Sequence, residues 1–183
     1  MTLHTNARSG APGIDLVECQ RRVRRFLDEE ASFAQVVTIN RDGFPVGRSM
    51  VAPVDVDWSV PLVQRAVHHR IDQWRRNPAT EVIWQGSPLR DNRNLFPHVY
   101  DLCVQAPRVV FLRGIAEFMD DDELVEVFRR QSEANRRAGR TLAPERNQQQ
   151  IVGELVGVRV RPVRIRAEGF GNGPESFTWP VAA

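Results

Sequence analysis

Residues 33–53 read FAQVVTINRDGFPVGRSMVAP, and the fold follows from how this stretch is divided. Two runs rich in β-branched and other strand-forming residues flank the tetrapeptide Arg41-Asp42-Gly43-Phe44. An Asp-Gly pair supplies the positive φ that a tight turn demands and that other residues adopt only under strain. The pattern predicts a β-hairpin with strands over 33–40 and 45–53. A chain that opens its sheet with a hairpin, without a strand-helix-strand crossover, begins an antiparallel architecture.

Working outward, Asp15-Leu-Val-Glu18 has the spacing of a capping box, and Leu16, Val23, Phe26 and Leu27 form an apolar stripe behind it, predicting a helix over 15–30. A third strand is expected over 60–67, with Pro61 at its start or on an edge. AVHHRIDQWRRNP (66–78) then turns from strand into a short basic helix. Asn77-Pro78 stops that helix, because proline disfavours α geometry in the residue before it. Residues 80–86 and 108–119 are expected strands, the latter bent at Gly114. Residues 120–139 form the clearest helix, acidic at its start, basic at its end and closed by Gly139. Residues 153–170 alternate apolar residues with arginine as a half-exposed strand does. Residues 87–107 have no clean period, which predicts a long loop with a helical turn at 99–104. The fold class is therefore mainly β (α+β), a six-stranded antiparallel barrel with helices packed outside, closure being one way to remove exposed edges.

Composition narrows the function classes. The chain has 183 residues, 42% hydrophobic and 26% charged, which fits one globular domain over 14–183 preceded by a flexible tail over 1–13. All 25 basic residues are arginine, and with 23 acidic residues the net charge is only +2. That balance argues against nucleic acid or an anionic membrane as the partner. No apolar run is long enough to span a bilayer, and MTLHTNARSGAPG has no apolar core for a secretory signal. Cys19 and Cys103, the only cysteines, stand in no CxxC pair and at no metal spacing from a histidine. A cytoplasmic protein without a disulfide framework or metal site is expected. There is no GxGxxG after a strand, no GxxxxGK[ST], no GxSxG and no HExxH.

What remains is positive charge at strand ends. Arg48 lies on the second strand, and Arg65, His68, His69 and Arg70 gather where the third strand meets a helix start. Free N–H groups at a helix start favour an anion, and guanidinium forks grip phosphate in two-pronged fashion. The alternative for each arginine is a solvated face, and for Trp74 and Trp84 a place in the core.

The hairpin from Ala34 to Pro45, Arg70 ahead of Asn77-Pro78, and the strand segment from Leu112 to Glu117, in that order and spacing, resemble the pyridoxamine 5′-phosphate oxidase-like family of split β-barrels. The likeness covers residues 26–125 well and 153–179 loosely. It implies a homodimer that holds FMN, or the deazaflavin coenzyme F420, at the subunit interface and moves hydride to or from a small organic substrate. By position it implies cofactor contacts at Arg48, Ser49, Met50, Val51, Gln64, Arg65, His69 and Arg70. A barrel of this kind that only binds or sequesters flavin, or that binds haem through His68, His69 or His98, is the alternative. The chain departs from the family pattern in three places. Arg70 replaces the usual lysine, Val109 stands where some members have a polar ring contact, and EGFGNGPESFTW lacks the arginine-histidine motif of true pyridoxamine phosphate oxidases. Pyridoxamine phosphate is therefore not the expected substrate.

Overall fold

The structure is a computed structural model that describes residues 14–31, 33–86, 108–139, 144–171 and 176–181. The tail over 1–13, the 87–107 segment with its expected helical turn, and with them His98 and Cys103, lie outside the described residues.

The first helix, α1 (Leu16–Glu29), starts where expected, with Asp15 Oδ1 accepting from the Glu18 N–H at 2.8 Å. Only this half of the capping box forms, because the Glu18 carboxylate turns to Arg21 and Arg22 on its own helix. Cys19, Val23 and Phe26, spaced for one helical face, are fully buried, and Phe26 meets Phe170 edge-on at 5.4 Å. Burial pushes the Cys19 thiol up to about 11, which removes it from thiolate chemistry near neutral pH.

The hairpin is present as β1 (Ala34–Ile39) and β2 (Pro45–Met50), paired antiparallel. Asn40 Oδ1 takes the Asp42 and Phe44 N–H groups at 3.0 and 2.8 Å, and Gly43 has φ +83°. β3 (Val60–Arg65), α2 (Arg70–Arg76) and β4 (Ala79–Gln85) follow, then β5 (Val109–Phe118), α3 (Asp121–Arg137), α4 (Gln148–Glu154), β6 (Leu155–Glu168) and β7 (Ser176–Pro180). The ladder runs β2-β1-β4-β5-β6-β3, with β7 also on β6, and every pairing is antiparallel. Among the described residues there are seven strands, one more than expected. The ladder also ends at β2 and β3 without pairing them, so these two edges face a split and the barrel is not closed.

One inserted residue shapes the far side. Arg113 pairs with Arg164 but Gly114 with Pro162, leaving Val163 as an extra residue in β6. The inward positions of β6 therefore pass from Val158 and Val160 to Ile165 and Ala167, a change of parity that a regular strand cannot make. Pro162 fits there because a bulge spares it the ladder N–H it lacks. Core side chains from β1, β4, β5 and β6, among them Val36, Val82, Trp84, Leu112 and Val160, pack against the inner faces of α1 and α2. A smaller cluster, Leu124, Val125, Ile151 and Leu155, joins α3 and α4 to the base of β6. Among the described residues no helix is long and apolar enough to cross a membrane.

Candidate functional site

The split between β2 and β3 opens into a cavity of about 390 Å³. Arg48, Ser49 and Met50 line it from β2, Gln64 and Arg65 from β3, and His69 and Arg70 from the junction with α2. Seven of the eight positions where the resemblance implies cofactor contacts thus line one cavity. The eighth, Val51, is half-exposed just beyond β2 and does not line the cavity. Val63, Val67 and His68 line it as well and were not among those positions.

Arg70 is placed by the helix that follows it. Ile71 and Trp74 sink into the core, with the Trp74 indole donating to Thr80 Oγ1 at 2.9 Å. Gln73 Oε1 accepts from the Thr38 hydroxyl at 2.6 Å, a further tie between α2 and β1. These anchors turn the Arg70 side chain inward, where only 7% of it is exposed. Its Nη1 meets Met50 Sδ at 2.7 Å and its guanidinium lies 5.8 Å from the Trp74 ring centroid, while its Nε is buried without an acceptor. No carboxylate pairs with it among the described residues. Burial, and then the charge of Arg48 beside it, lower its pKa from the ordinary arginine value.

This arrangement is costly for the protein alone. A buried cation without a counter-charge loses several kcal/mol of hydration, and a second guanidinium nearby adds repulsion. Two arginines of β6 are, by contrast, matched by carboxylates. Arg159 reaches Asp55 at 2.7 Å and Glu123 at 2.6 Å, and Arg161 reaches Asp57 and Glu117. At the split, Arg48, Arg65 and Arg70 all lack such partners among the described residues. Gln64, 9% exposed, adds a second buried donor, its Nε2, with no acceptor among the described residues. Two orphaned N–H donors and three unpaired cations make a cavity complementary to an acceptor-rich anion. A phosphate monoester has that chemistry, with oxygens enough for both forks.

The helix start contributes less than expected. α2 has only seven residues, and His69 before it caps none of its N–H groups with a side chain, so most of the positive potential comes from side-chain charge. Among the described residues no three His, Cys, Asp or Glu side chains gather to hold a metal ion. His68 and His69 are exposed on the turn, beside arginines.

No protein-family model matches the chain, and no curated protein matches it in sequence. Solved structures do match in fold. A haem-binding protein from Mycobacterium smegmatis superposes with a TM-score of 0.60 at 13% identity, over 91% of this chain and 59% of that one, so this chain spans about three fifths of its length. A Listeria innocua protein provisionally named a pyridoxamine 5′-phosphate oxidase gives 0.56 at 15% identity over 82% and 97% of the two chains. An F420 reductase gives 0.52 at 18% identity over 77% and 94%. At such identities the likeness is one of fold alone, and that fold is the split β-barrel of the pyridoxamine 5′-phosphate oxidase-like proteins.

Proposed function

We propose that this split barrel is a flavin- or deazaflavin-dependent oxidoreductase that moves hydride to or from a small organic molecule, with the coenzyme's phosphate seated between β2 and β3. The observation that supports it is the buried, carboxylate-free guanidinium of Arg70 beside Arg48 and the orphaned Gln64 amide. Bound FMN, or coenzyme F420 in its place, would supply the two-electron chemistry; the protein's part is position and electrostatics. In this reading Arg70 and Arg48 grip the phosphate and Arg65 and His69 line its rim. Gln64 donates its amide to an acceptor on the coenzyme. Ser49 and Met50 run beside the ring system.

A homodimer fits the same reading. Val67, on the lining of the cavity, exposes 79% of its surface and Val51, next to Met50, exposes 44%, and apolar side chains beside an open cavity favour cover by a second subunit. The test is direct: titrate the purified protein with FMN and with F420, following fluorescence, then add a chemical reductant and an electron acceptor anaerobically. Saturation at one coenzyme per subunit with micromolar affinity and reoxidation by the acceptor is the expected result. A folded protein that takes up neither, or that gains an intense Soret band with haem and still ignores flavins, would overturn the proposal.

A further inference from the structure

A second cavity, of about 650 Å³, lies on the other side of β3, between that strand and α3. Val63, Gln64 and Arg65 line both cavities, so the two meet along the β3 edge that no strand pairs. The walls are tied together there, since Gln131 of α3 donates to the Pro61 carbonyl at 3.0 Å. The volume falls within the roughly 300–1,000 Å³ of small-molecule sites.

Its lining has two characters. Val63, Phe128 and Leu155 give an apolar wall continuous with the α3–α4 core cluster. Most of its charges are already matched: Arg136 meets Glu145 at 3.4 Å, Arg146 meets Glu154 at 2.9 Å, and Glu133 faces Arg137 at 3.9 Å. Arg65 and Arg129 have no carboxylate among the described residues, and the Gln64 amide, nine-tenths buried between the two cavities, has an unused donor. An apolar wall with two unmatched cations and one buried amide donor is complementary to a body of hydrocarbon ending in an anion.

We propose that the groove between β3 and α3 binds an elongated organic acid, whose carboxylate is held by Arg129 and Arg65 and whose far end crosses the β3 edge at Gln64 toward the coenzyme cavity. This assignment names the substrate class and, in its direction toward the coenzyme, rests on the function proposed above. Arg129 is the residue to change, because it lines only this groove and stands exposed on α3, where substitution spares the core. The probes are decanoate and 4-phenylbutyrate, each compared with its carboxamide, titrated calorimetrically into the full chain with and without FMN.

The acids should bind at least tenfold more tightly than the amides. Arg129→Ala should reduce acid affinity about tenfold, Arg129→Lys should restore part of it, and FMN affinity should stay within twofold of the parent. Equal binding of acids and amides overturns the assignment. So does an Arg129→Ala variant that loses FMN or F420 affinity as strongly as acid affinity, since the groove would then serve the coenzyme itself. The two readings fail separately. Acid binding by a protein that takes up no coenzyme removes the flavin reading alone, whereas coenzyme uptake without acid preference removes the groove.

Discussion

Arg70→Met is expected to weaken FMN binding by roughly 30- to 100-fold while leaving the ligand-free protein as stable as before, or more so. A hydrogen bond to a charged group contributes about 1.5–3 kcal/mol, and each 1.4 kcal/mol is about tenfold in affinity, so losing a guanidinium fork reaches that range. The stability side has the opposite sign. Ligand-free, Arg70 is a buried cation with Arg48 as neighbour and a thioether as its acceptor. Exchanging an uncompensated charge for an apolar side chain of similar length removes a desolvation cost. Arg48→Ala should weaken binding too, and the double variant should lose less than the product of the two effects, because both arginines act on one anion. Flavin titration and thermal melts without ligand read the two halves. If melting falls by several degrees and binding survives, Arg70 serves the fold and the phosphate assignment is wrong.

Gly114→Ala should be among the most destabilising single substitutions in the sheet, at about 3 kcal/mol or more. An added Cβ would stand 2.2 Å from the Arg161 carbonyl oxygen and 2.8 Å from Val160 Cγ1. The first obstacle is backbone, held in the β5–β6 ladder on both sides of the bulge, so relief requires strands to separate. For a chain of this length, ~3 kcal/mol corresponds to a melting temperature lower by about 6–12 °C. Gly157→Ala is the matched control. Its Cβ would meet Met119 Sδ at 2.6 Å and Met119 Cβ and Cγ at 3.1 Å, side-chain atoms and not backbone, and a smaller loss of about 1–2 kcal/mol is expected. Chemical denaturation of both variants separates them, and equal losses would show that the bulge is not rigid.

Where sequence and structure agree, the signal was local. Asp42-Gly43 placed the hairpin, the Asp15 cap placed α1, and Gly114 marked where the β5–β6 register shifts, although the extra residue is Val163 of β6. Where they differ, a partner distant in sequence decides. β7 alternates Phe177 and Trp179 with polar residues over only five positions, and it becomes a strand by pairing with the end of β6 beyond the bulge. α4 did carry a signal, since Asn147 and Gln150 form a complete capping box. The seven residues of α4, QQQIVGE, are too few to show a helical period in the sequence. The ends of β6 were legible, but its change of parity at Pro162 was not, because only the β5 register reveals it.

The cationic site was half legible. Arg48, Arg65 and Arg70 stand out by position, yet an arginine is by default a solvated residue. The burial of Arg70 follows from how Ile71 and Trp74 seat α2, which no local pattern encodes. The groove on the other side of β3 was invisible for the same reason, since it exists only once α3 lies across the strand.

The phosphate assignment is tested most directly by comparing FMN with riboflavin, which has the same ring system and no phosphate, in parallel calorimetric titrations of the unmodified protein. If Arg48 and Arg70 clamp the phosphate, FMN should bind at least 30-fold more tightly, about 2 kcal/mol, and the gap should nearly close in Arg70→Met. Riboflavin binding as tightly as FMN would contradict the account, because the split between β2 and β3 would then have no anion to hold.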